Sequence, residues 1–128
     1  MKILIFEPYL TGHHPEYLHH YYLGALERQE NEYVFLVPNS FDQVKDKYEW
    51  KNASNITIKY IDEKYNYLYA LSNVYILGWK VSKVLNYYVR ELRPDNVILT
   101  NLMLFIPFII FFLPRWVRVR GIMYKIYL

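Results

Sequence analysis

The chain contains no cysteine. That excludes disulfide staples, thiolate metal sites and cysteine nucleophiles, and it fits a reducing compartment. Glycine is scarce, at 4 residues, and proline stands at 6, so collagen-like and linker-like compositions are excluded. No Gly-Lys-Ser/Thr triplet is present for a Walker loop. The three spaced glycines of a dinucleotide fingerprint are missing as well, one glycine standing where they would be needed. Paired carboxylates are absent after the opening apolar run, where Glu7 stands alone before Pro8. There is no internal repeat and no low-complexity tract.

Long hydrophobic runs are few. The opening MKILIFEPYL has too short an apolar stretch and no small-residue cleavage site, so it reads as a strand rather than a signal peptide. LMLFIPFIIFFLP, Leu102–Pro114, is uncharged but falls short of the ~20 residues that a membrane-crossing helix needs, and Pro107 interrupts it. A buried core helix or an interface-lying segment is expected there.

What is present is the material of one domain: 128 residues, 54% hydrophobic, 20% aromatic, with 15 Tyr. The net charge of +3 is unevenly spread. Residues 1–79 carry 7 Lys/Arg against 10 Asp/Glu, and residues 80–128 carry 8 against 2, or −3 and +6. The cationic half can face a phosphate, a polyanion or an anionic membrane, or can serve solubility and helix-terminus pairing alone.

Periodicity supplies the elements. Lys2–Phe6 is the pattern of a strand buried on both faces. A helix runs from about Pro15 to Gln29, with Leu18, Tyr21, Tyr22, Ala25 and Leu26 on its apolar face. Tyr33–Val37 is a second strand, and Phe41 to about Trp50 a short helix or irregular segment. Ile56–Ile61 is a third strand. A long helix is expected from about Tyr67 to Leu92, closed at Arg93-Pro94-Asp95. Asn96–Thr100 makes a fourth strand, the apolar segment a further helix, and Val117–Tyr124 a fifth strand. Strand and helix alternate, which argues for an α/β, Rossmann-like open parallel sheet with helices on both faces.

In such a sheet the ligand crevice lies beyond the carboxyl ends of the strands, where chain order reverses. With the first strand central and the fourth beside it, two loops converge there. One carries Thr11, Gly12, His13 and His14; the other carries Thr100 and Asn101. Gly12 allows a close backbone approach, and the helix amino-terminus that follows, with Glu16 in its first turn, offers free N–H groups to an anion or a sugar hydroxyl. Histidine is the side chain best suited to proton transfer near neutrality, so His13 and His14 are the candidate catalytic pair, with local capping as the alternative. His19 and His20 read as helix surface. Two metal ligands on one helical face need a spacing of three or four, whereas the separations across the two histidine pairs are five, six and seven, so only His13 and His20 could align, one of them in the loop. No metal and no cofactor is therefore expected. Arg115, Arg118 and Arg120 form a candidate membrane or anion patch near the apolar segment. Because the aromatics sit in expected core elements rather than on a platform, nucleic acid is not expected as a partner.

MKILIFEPYLTGHHPEYLHHYYLGAL resembles the start of the amino-terminal domain of a GT-B glycosyltransferase of the glycosyltransferase family 4 type. PDNVILTNL is similar to its fourth strand, and RVRGIMYKIYL to the strand that follows. The resemblance implies an acceptor-binding half of an enzyme that moves a sugar from a nucleotide-sugar to a glycan or lipid-linked acceptor. It places His13 and His14 at the cleft between domains, with Thr11, Gly12, Glu16, Thr100 and Asn101 around the substrate. Many relatives have a polar residue or histidine where this chain has Thr100 and Asn101. The resemblance further implies a partner domain or subunit that binds the donor, work in polysaccharide biosynthesis for the cell envelope, and a cytoplasmic site peripheral to the inner face of the membrane. The glycine-rich diphosphate loop and paired Glu of the donor half are not found in residues 1–128, so this chain alone is expected to have little or no transferase activity. Two other readings stay open: a non-catalytic, membrane-associated scaffold, and a generic Rossmann-like ligand binder.

Overall fold

The computed structural model describes residues 1–10, 14–100 and 113–121. Five strands, β1 (Lys2–Phe6), β2 (Glu32–Val37), β3 (Ile56–Tyr60), β4 (Asn96–Leu99) and β5 (Arg118–Gly121), form one parallel sheet in the order β3-β2-β1-β4-β5. β1 is central, with β4 beside it, and the strand order reverses between them. The chain is thus α/β with a Rossmann-like sheet.

A strand in the middle of a parallel sheet is covered on both faces, and its sequence must be apolar throughout. Leu4, Ile5 and Phe6 of β1 and Phe35, Leu36 and Val37 of β2 have no exposed surface. Helices α1 (His14–Glu27) and α2 (Phe41–Lys47) cover one face, and α3 (Val74–Leu92) covers the other. Under α1 and α2, Ile3, Ile5, Phe35 and Val37 meet Leu18, Tyr22, Ala25, Phe41 and Trp50. On the α3 side, Leu4, Phe6, Leu36, Val97 and Leu99 meet Val81, Leu85, Tyr88 and Val89.

Two expectations need correction. The helix expected over Tyr67–Leu92 is two elements, a 3₁₀ segment at Glu63–Ala70 and α3 from Val74. Asn73 separates them: its side chain accepts hydrogen bonds from the N–H groups of Tyr75 and Ile76, which caps α3 where helical periodicity alone would run on. Leu68 and Leu71 still reach the core, so the apolar spacing persisted without the helix. His19, expected on the helix surface, lies half-buried among the rings of Tyr22, Tyr48 and Trp50, at 5.8, 5.3 and 6.3 Å. The segment after Trp50 is pinned there, since the Tyr22 hydroxyl accepts from the Lys51 N–H (2.8 Å) and donates to its carbonyl (3.2 Å). The helix expected in residues 102–114 falls, up to residue 112, outside the described residues, as does the part of the fifth strand beyond residue 121.

The end of α1 depends on a distant side chain. Past Glu27 the chain turns, with the Arg28 N–H donating to the Ala25 carbonyl (3.2 Å) and the Asn31 N–H to the Arg28 carbonyl (3.2 Å). The buried Asn55 amide adds a second donor there, within reach of the carbonyls of Ala25 (3.0 Å), Arg28 (3.3 Å) and Asn31 (3.3 Å). Asn55→Ala should lower the unfolding free energy by about 1–3 kcal/mol, the loss of the two hydrogen bonds that one amide group donates. Urea denaturation reads it; an unchanged midpoint would show that water satisfies these carbonyls equally well.

Candidate functional site

The carboxyl ends of β1, β2 and β3 open onto a cleft of about 510 Å³. Pro8, Tyr9 and Leu10 follow β1 into it, Pro38, Asn39 and Ser40 follow β2, and Asn66 and Tyr69 come from the 3₁₀ segment. The rings of Tyr9 and Tyr69 meet edge to face at 5.5 Å. Burial, with the neighbouring phenol and Glu7 adding to it, pushes the Tyr9 hydroxyl up to about 12, and burial with Glu7 does the same for Tyr69. Both phenols therefore remain protonated donors at physiological pH.

Glu7 is the side chain around which this rim is organised. It directly follows β1, its own N–H donates to the Leu36 carbonyl at 3.1 Å, and it is 0% exposed. A lone carboxylate in such a place is expensive to ionise unless something compensates it. Oε1 receives the Tyr9 N–H (3.1 Å) and lies 2.9 Å from Nδ1 of His14, the first residue of α1. Oε2 is buried with no hydrogen-bond partner among the described residues, and so is the Tyr9 hydroxyl. Two orphaned polar atoms on one turn are unusual in a core. Burial lifts the Glu7 carboxyl above the ordinary carboxylate range, against the pull of His14 and the Tyr9 N–H. The hydrogen bond to Glu7 raises the His14 imidazole above its usual value, outweighing the opposite effect of its partial burial.

His14 is thus at the sheet's carboxyl rim, with its side chain 19% exposed. Glu16 sits exposed in the first turn of α1, near the positive end of its dipole. Thr100 is fully buried, and its hydroxyl donates to the Phe6 carbonyl at 3.2 Å, fastening the end of β4 to that of β1. Thr11, Gly12, His13 and Asn101 lie outside the described residues. Arg115, Arg118 and Arg120 are exposed, but not at this rim. Arg118 pairs with Asn96 at the amino end of β4 and Arg120 with Ile98 further along it, so these two residues belong to the β5 edge of the sheet, the edge opposite β3. Among the described residues, no group of three or more His, Asp or Glu gathers to hold a metal ion. Among the same residues, no helix is long and apolar enough to cross a membrane.

Glu7, Tyr9, Asn39, Ser40, Asn66 and Tyr69 were not among the residues singled out from sequence. For Glu7 a signal existed: a charged residue closing an otherwise apolar buried run stands at the ligand end of a parallel strand. For Asn66 and Tyr69 there was none, because their place depends on the break at Asn73.

A family model described as "Domain of unknown function (DUF8676)" matches residues 66–122. No curated protein and no solved structure matches the chain.

Proposed function

We propose that this chain is the acceptor-binding half of a GT-B glycosyltransferase, working with a donor-binding domain or subunit at the cytoplasmic face of a membrane. The observation that carries the reading is the Glu7–His14 pair set at the carboxyl rim beside the Tyr9–Tyr69 cleft. A saccharide has apolar C–H faces and a girdle of hydroxyls. The cleft answers both, with two aromatic rings for the faces and the side chains of Asn39, Ser40 and Asn66 for the hydroxyls. With Nδ1 engaged by Glu7, the imidazole exchanges protons with a substrate through Nε2. As the acceptor oxygen bonds the anomeric carbon and the nucleoside diphosphate leaves, the hydroxyl proton passes to that nitrogen. Glu7 orients the ring and stabilises the imidazolium that forms.

Saturation-transfer NMR tests the binding half of this reading. Methyl glycosides of glucose, galactose, mannose and N-acetylglucosamine should include at least one that receives saturation from the protein. Tyr9→Ala and Tyr69→Ala should each weaken it about threefold to tenfold, the scale of one aromatic contact. If uridine and guanosine diphosphates bind this cleft and no glycoside does, the chain is a nucleotide-binding Rossmann-like domain and the acceptor assignment fails.

A further inference from the structure

Helix α3 is longer than the sheet it covers. Its 19 residues span about 28 Å, whereas a five-residue strand such as β1 spans about 16 Å. The helix is thus longer than the strand by about 12 Å. The last turn cannot be the overhang: α3 ends at Leu92, and Asp95, which donates its N–H to the Lys2 carbonyl, is already at the amino ends of the strands. The overhang is the first turn, at the carboxyl rim on which the cleft opens: residues 74–76 are exposed, Leu77 is half-buried, and full burial begins at Gly78.

That overhang is apolar where solvent reaches it, and Trp79 adjoins it. Val74 is 62% exposed, Tyr75 75%, Ile76 48% and Trp79 47%. Tyr67 of the 3₁₀ segment extends the patch, and the Lys80 ammonium sits 5.2 Å from the centre of its ring, tying the two elements together. One turn further along, Lys83 is exposed. From residue 65 to residue 90 the chain carries Lys80, Lys83 and Arg90 and not one carboxylate. Exposed Tyr and Trp beside aliphatic side chains, with Lys80 and Lys83 next to them, match the headgroup zone of an anionic bilayer: rings at the ester level, ammonium groups among the phosphates. A second copy of the same face is a poor match, because two-fold pairing would set lysines against lysines with no acid to neutralise them.

We infer that the overhanging start of α3, with Tyr67, Tyr75, Ile76, Trp79, Lys80 and Lys83, is the surface by which this protein lies on an anionic membrane. The cleft then opens beside the bilayer. The arginines of β5 play no part in the attachment. This assignment does not depend on the cleft binding a saccharide.

Vesicle flotation decides it. The full chain should float with phosphatidylcholine vesicles containing phosphatidylglycerol, stay behind with phosphatidylcholine alone, and lose its attachment as salt is raised. Each lysine near an anionic surface contributes about fivefold to partitioning, so Lys80→Gln with Lys83→Gln should weaken binding roughly thirtyfold. Tyr75→Ala with Trp79→Ala should weaken it tenfold or more, and Arg118→Gln with Arg120→Gln should leave it unchanged. All these positions are exposed except Lys80, which is half-buried, so circular dichroism should show the variants folded, and the glycoside titration should not move. The proposal is overturned if the wild-type chain ignores anionic vesicles, if the α3 variants float as it does, or if the β5 variants abolish binding. It is equally overturned if sedimentation shows a dimer that Trp79→Ala disperses, since the face would then belong to a second copy.

Discussion

Phe35→Ala should lower the unfolding free energy by about 3–5 kcal/mol, a large share of the 5–15 kcal/mol that a domain of this kind possesses. Phe35 has no exposed surface and stands on β2, in register with Ile5 on one side and Ile58 on the other. Its ring meets the Trp50 indole edge to face at 5.1 Å, and Phe41 meets the same indole at 4.9 Å in the same manner. Tyr22 stacks on that indole at 4.1 Å, so one tryptophan joins α1, α2 and the sheet. Removing Phe35 takes away a benzyl group and leaves a cavity that flanking strands, held by ladder hydrogen bonds, cannot close. The measurement is the urea midpoint at unchanged slope, with Tyr75→Ala as the exposed control expected within about 0.5 kcal/mol of wild type. A loss below about 1 kcal/mol for Phe35→Ala would mean that the α1 face of the sheet is loosely packed.

The same residues show what a sequence can and cannot convey. Strands β1 and β2 were readable because burial on both faces leaves uninterrupted apolar runs, and α1 because Leu18, Tyr22 and Ala25 recur at helical steps. Parallel pairing followed from the alternation of strand and helix. The break before α3 was not readable from periodicity, since Leu68 and Leu71 hold the helical spacing while the Asn73 side chain takes the first N–H groups of a new helix. His14 was legible as a rim residue, because it falls between a buried strand and the helix Pro15 begins. The carboxylate that holds it was overlooked: Glu7 is seven positions earlier, and only the turn of the chain brings them within 2.9 Å. Nor does helix periodicity reveal an overhang. That depends on the length of α3 measured against β1, a comparison between elements rather than a property of either.

Glu7→Gln should separate the two roles of the pair, and pH is the variable that does so. In the wild-type protein the hydrogen bond to Glu7 raises His14, and burial raises Glu7 itself. Both groups then hold protons more tightly folded than unfolded, so stability falls as pH rises. The decline begins near the unfolded carboxyl value of about 4.5 and continues as pH passes through the raised His14 value, above 6.5. Glutamine keeps the acceptor for the Tyr9 N–H but carries no charge, so urea midpoints of Glu7→Gln should be flatter from pH 5 to 9 and exceed those of wild type at the alkaline end. The His14 ring signals, followed by NMR, should titrate at lower pH in the variant, back toward 6.5. Catalysis adds its own signature. Where this chain supplies the acceptor wall of an active transferase, His14→Ala should lower kcat by about 10²–10⁴. Glu7→Gln should move the acidic limb of the pH–rate profile downward and lower its plateau, because a weaker base is deprotonated sooner but accepts the substrate proton less readily. A His14 titration that ignores Glu7→Gln would show that the carboxylate does not control the imidazole, and with it the proton-transfer role would fall.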